Sequence, residues 1–146
     1  MNLTSAVAEA MIEAAVQKAD AMKVAVNVAV LDSGAHLKAF RRMDGAPLGA
    51  IDLAIRKAKT AVLFGMNSEQ LWDFVKPGAA AEGMQFSNDI LVTFAGGVLL
   101  KSKSGEAIGA IGVSGGTVSE DGEIVAAATS GSVPAVTFFE SKLTKV

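Results

Sequence analysis

The sequence predicts an α+β domain, a five-stranded antiparallel sheet flanked by helices. Three observations carry this expectation. Alanine-rich segments with helical spacing occupy residues 3–22, 49–64 and 119–129. Apolar runs of strand length, bounded by turn residues, occupy 24–31, 36–42, 90–94, 98–102 and 106–114. Their order, helix, hairpin, helices, strands, helix, segregates the two kinds of element and lacks the regular alternation of a parallel sheet.

Residues 3–22 place Val7, Met11, Ala14, Ala15, Lys18 and Met22 on one helical face, with Thr4 as the N-cap. In 24–31 the residues Val26, Val28 and Val30 alternate with Ala25, Asn27, Ala29 and Leu31. Both faces are largely apolar, which predicts a central strand covered on both sides, by the helix layer and by another subunit. Asp32-Ser33-Gly34-Ala35 has turn chemistry and closes a hairpin onto 36–42. Period 2 in that strand points Arg41 and Arg42 to opposite faces.

Met43 to Pro47 form a loop before the helix at 49–64, whose buried stripe is Ile51, Ala54, Ile55, Ala58 and Val62. Lys57 lies beside that stripe, free to snorkel outward or to turn toward a ligand. A short helix follows Asn67 and Ser68 and carries Trp72, and 76–87 reads as a loop. In the last strand Gly109 and Gly112 interrupt an apolar run, which marks a bulge or a close approach by another backbone. Gly115 and Gly116 turn the chain into a helix whose start carries Glu120, Asp121 and Glu123. The segment from Ser132 onward is expected to dock as an extended stretch or a short helix.

At 146 residues the chain is long enough for one domain, taken as 1–146, that buries roughly two thirds of its unfolded surface. Apolar runs are too short to cross a bilayer. The N-terminus has no basic stretch before an apolar core, so a cytoplasmic protein is expected. Cysteine is absent, which excludes disulfides, thiolate metal sites and covalently attached haem. A net charge of −2 leaves no basic face for nucleic acid.

His36 is the sole histidine, so one chain cannot build a multi-histidine metal site. It reads either as a turn residue or as a functional imidazole. Arg41, Arg42 and Asp44 read either as a surface ion-pair group or as a site in which one arginine clamps a carboxylate. Lys57 is open to the same two readings. Glu120 and Glu123 complement the helix dipole. The Gly112–Gly116 stretch lacks the spacing and lysine of a phosphate loop.

The stretch His36 to Ala61, containing RMDGA and a helix with KAxTA, then AGGV at 95–98, then AIGVSGGTVSEDGE at 110–123, resembles the GlcG/HbpS-like family of small haem-binding proteins. The likeness runs from about Leu3 to Gly131. It implies a profilin-like arrangement, a homo-oligomer with an octamer among its forms, pockets near subunit contacts, and haem or a related tetrapyrrole as ligand, with degradation or sensing as the activity. With neither Cys nor Tyr present, the iron contact would be His36, a methionine such as Met43, Met66 or Met84, or a hydroxyl. Arg41, Arg42 and Lys57 would meet the propionates. Acidic motifs of related proteins imply iron at Glu120 and Glu123, although Gly122 stands where the family more often has an acidic residue. The alternative is a cofactor-independent enzyme of a catabolic pathway. In it Arg41 or Lys57 holds a small carboxylate-bearing metabolite, while His36, Asp44 or Glu120 shuttles a proton. An oligomeric ligand sensor without chemistry is the third reading.

Overall fold

The computed structural model describes residues 3–130, and the expectation for the segment from Ser132 onward lies outside them. The first helix, α1 (Ser5–Met22), is capped by Thr4, whose hydroxyl accepts from the Val7 N–H, and ends on Lys23 in the left-handed region. A hairpin of β1 (Asn27–Asp32) and β2 (Leu37–Arg42) follows, then α2 (Gly49–Phe64). A 3₁₀ turn at Ser68–Leu71 leads into the short α3 (Trp72–Val75), and a second 3₁₀ turn spans Met84–Phe86. The chain closes with β3 (Gly97–Lys101), β4 (Ala107–Ser114) and α4 (Val118–Thr129).

The sheet is antiparallel with order β2-β1-β4-β3. Strand β1 is therefore internal, as its doubly apolar pattern predicts. Val28, Val30, Ile111 and Val113 pack with Met11, Ile12 and Ala15 of α1 and Ile124 and Val125 of α4. Ala29, Leu31, Leu99 and Ala110 pack with Ala54, Ala58 and Ala61 of α2. The second face of β1, expected to point toward another subunit, is thus closed by α2 of the same chain.

Glycine explains how closely α2 sits. A Cβ on Gly112 would lie 2.0 Å from the Ala54 carbonyl oxygen, so only glycine lets the helix backbone cross β4 there. Gly109 has φ +157 and lies beside an irregularity in the β3/β4 register. Both glycine readings from the sequence, bulge and close approach, have their counterpart here.

The described residues contain four strands rather than five. The run at 90–94 is not a strand because Asn88, Asp89 and Ile90 all have positive φ, which turns the chain out of extended geometry. Its amides bond elsewhere: Leu91 N–H donates to the Gln85 carbonyl and Val92 N–H to the Thr60 hydroxyl of α2. No helix among the described residues is long and apolar enough to cross a membrane.

Candidate functional site

The β1/β2 turn builds a small polar device. Asp32 Oδ1 accepts from the Gly34 N–H at 2.9 Å and from the His36 N–H at 3.0 Å. These amides, the His36 one foremost, hold the Asp32 carboxyl below its usual range. The same oxygen stands 3.5 Å from His36 Nδ1, and the imidazole side chain is 82% exposed. Gly34 makes room for the ring, because a Cβ there would come within 2.9 Å of Nδ1. The turn thus places a carboxylate at ion-pair distance from one imidazole nitrogen and leaves most of the ring open to solvent.

The remaining charged residues of β2 lie elsewhere. Arg41 points over the α1 face, where its guanidinium donates to Glu13 at 2.9 Å and lies 3.8 Å from Glu9. That hydrogen bond lowers the Glu13 pKa. Arg42, opposite Asn27, is exposed at the other end of the strand. Met43 is half-buried, with its sulfur accepting from the Val26 N–H, and Asp44 is exposed. From Asn27 to Asp32 the strand advances about 17 Å at roughly 3.3 Å per residue, so His36 and the Arg42–Asp44 corner occupy opposite ends of the sheet.

Lys57 faces neither solvent nor a surface ligand. It is fully buried, and its ammonium donates to Asp121 Oδ2 at 3.0 Å and to the Val113 carbonyl at 2.9 Å. Asp121 Oδ1 accepts from the Gly116 N–H at 2.8 Å. One ion pair thereby joins α2, β4, the Ser-Gly-Gly corner and α4. Burial pushes the Lys57 pKa down, and Asp121 opposes that shift. Within one chain Lys57 is therefore an internal cation, already paired, rather than one offered to a ligand carboxylate.

At the start of α4, Thr117 and Glu120 form a reciprocal capping box, with Glu120 Oε1 accepting from the Thr117 N–H at 2.8 Å. Glu123 is exposed. Glu120 and Glu123 follow the Ser114 end of β4, beside the Asn27 end of β1 and far from His36. His36, Glu120 and Glu123 thus do not converge in one chain, and neither do His36, Asp44 and Glu120. No group of three or more His, Cys, Asp or Glu side chains able to hold a metal occurs among the described residues.

A concavity that the sequence did not announce lies beside β3. A groove of about 440 Å³ is lined by Glu69, Trp72, Thr93, Phe94, Ala95 and Val118. A smaller hollow of about 210 Å³ adjoins it, sharing Glu69 and Ala95 and including Gly96 and Gly122. Its walls are fixed by Ser68, whose buried hydroxyl donates to the Phe94 carbonyl at 2.6 Å and accepts from the Gly97 N–H at 2.9 Å. Asn67 Oδ1 accepts from the Leu99 N–H at 3.0 Å. The cue was present in Asn67-Ser68, read only as the lead into a short helix, and in the apolar 90–94 run, read as a strand.

Comparison with known proteins bears on this architecture. A family model for "Haem degrading protein HbpS-like" matches residues 3–130. A 15.0 kDa protein encoded between dhaT and dhaS in Citrobacter freundii is 37% identical over 120 residues, covering 82% of this chain and 84% of its own. The crystal structure of a PduOC:heme complex superposes with a TM-score of 0.85 at 33% identity, over 94% of this chain and 96% of that one. A double mutant of Streptomyces reticuli HbpS gives 0.79 at 29% identity, over 88% of this chain and 85% of that one. With a family model spanning every described residue and a relative this similar along most of its length, the chain belongs to the HbpS-like family.

Proposed function

We propose that the protein binds haem non-covalently with His36 as the iron contact. The observation that carries this reading is the Asp32–His36 pair: a carboxylate lies 3.5 Å from Nδ1 of an imidazole that is otherwise solvent-facing. The other named candidates are less available. Met43 sulfur already accepts a backbone N–H, and Met66 and Met84 pack against Leu71, Val75 and Leu91. The fold shared with a haem complex supports the same reading.

His36 brings few apolar walls of its own, since Leu37 beside it is 54% exposed at the hairpin end. A haem held there takes its remaining cover from a second copy, which is how a homo-oligomer, an octamer included, enters the proposal. Arg42, with an exposed guanidinium, then meets a propionate of a haem bound by a neighbouring copy. Arg41 would have to leave Glu13 to do so. Iron at Glu120 and Glu123 would engage Glu120 through Oε2, because Oε1 accepts the capping bond from the Thr117 N–H. Bound haem supplies the iron chemistry that degradation or sensing in the cytoplasm requires. The chain's contribution is to orient the imidazole and exclude water.

Titrating haemin into the purified protein and following the Soret band tests this. Saturation at one haem per chain is expected. Linear uptake without saturation, accompanied by turnover of a small carboxylate-bearing metabolite, would favour the cofactor-independent enzyme instead.

A further inference from the structure

The groove beside β3 has a composition that calls for its own ligand. Trp72, Phe94 and Val118 are 45%, 39% and 49% exposed, yet all three line the same concave surface. The Ser68 hydroxyl pins the backbone at Phe94 and at Gly97, the two ends of the short segment that begins with the Phe94 ring, so the groove floor is preformed. Behind it lies the buried Lys57 ammonium, 5.2 Å from the ring centroid. A cation on one face of an aromatic ring draws electron density toward it. The outer face then favours stacking with an electron-rich π-system. Glu69 is the one ionisable side chain in the lining, and its carboxylate accepts no hydrogen bond from the described residues.

We propose that this groove binds a small, electron-rich planar nitrogen heterocycle, stacked on Phe94 and Trp72, with an ammonium or N–H group directed to Glu69. None of the lining side chains is an imidazole, thioether, thiol or phenol, and the stacking and the ion pair with Glu69 call on no iron. The groove stands apart from the His36 reading, and its test uses no haem.

The chain has a single tryptophan, so its indole N–H gives one resonance that reports on the groove directly. The probe is tryptamine, titrated into ¹⁵N-labelled protein and compared with indole-3-acetate, which carries the same ring and the opposite charge. The proposal expects a saturable shift of the Trp72 indole resonance, with tryptamine binding about fivefold tighter, the range of an exposed ion pair. Glu69→Gln should bring the two affinities together while leaving the ring interaction. Phe94→Leu should weaken both by about tenfold, with the remaining amide spectrum confirming the fold. Three results would overturn it: no saturable movement of the Trp72 resonance, equal affinity for the two probes unaffected by Glu69→Gln, or loss of the tryptamine response on adding one equivalent of metal-free protoporphyrin.

Discussion

Lys57 shows how far a single residue departs from what its neighbourhood in sequence suggests. Beside an apolar helical stripe, a lysine normally snorkels. Here its partner lies 64 positions away, and only the fold brings Asp121 to it. Nothing local in the helix pattern encodes such a pair, whereas Asp32 and His36 were already adjacent across a recognisable turn. Removing one member of a buried pair strands the other charge. Lys57→Met should therefore cost about 3–5 kcal/mol in chemical denaturation. Adding Asp121→Asn removes the stranded charge and keeps a Gly116 acceptor, so the double variant should recover at least half of that loss. Failure of the second change to rescue the first would show that packing, not charge, sets the cost.

The same lysine fixes a pH dependence. Its folded-state pKa lies below the 10.5 of an ordinary lysine because of burial, so between the two values the unfolded chain holds more protons. Stability attributable to Lys57 should rise with pH through that window and level off above 10.5. The chain has neither Tyr nor Cys to obscure it. Denaturation curves of wild type, referenced to the Lys57→Met/Asp121→Asn variant, measure this, and a falling difference would contradict the burial account.

Among elements, β1, β2 and β4 were legible because alternation and turn chemistry agree there. The 90–94 run was misread because its composition suits a strand while its entry does not: three successive left-handed residues, Asn88 to Ile90, lead into it. Glycines separate in the same way by what surrounds them. Gly112→Ala would drive a Cβ against the Ala54 carbonyl, forcing α2 off the sheet at a cost of about 1–3 kcal/mol or more. Gly122 sits inside α4 without positive φ, and a Cβ there would meet Ala95 Cβ at 3.4 Å, ordinary contact. Gly122→Ala should therefore stabilise the protein by about 0.5–1 kcal/mol. Thermal unfolding of the two variants side by side checks both signs.

For the molecule as a whole, the α+β class and the two-sided cover of β1 followed from the sequence. The location of a ligand site did not, because residues expected to act together lie at opposite ends of the sheet. That separation is what makes a second copy part of the haem proposal. Size-exclusion chromatography with light scattering should accordingly give a mass that is a multiple of 14.9 kDa. Leu48, Phe74, Phe86 and Ile90, all largely exposed in the single chain, supply apolar surface for such contacts. Iron ligation by His36 is tested by a haemin titration of wild type beside His36→Ala, recorded across the Soret region. Wild type should give a saturable, stoichiometric band that shifts or disappears in the variant. Superimposable spectra and equal affinities would contradict it.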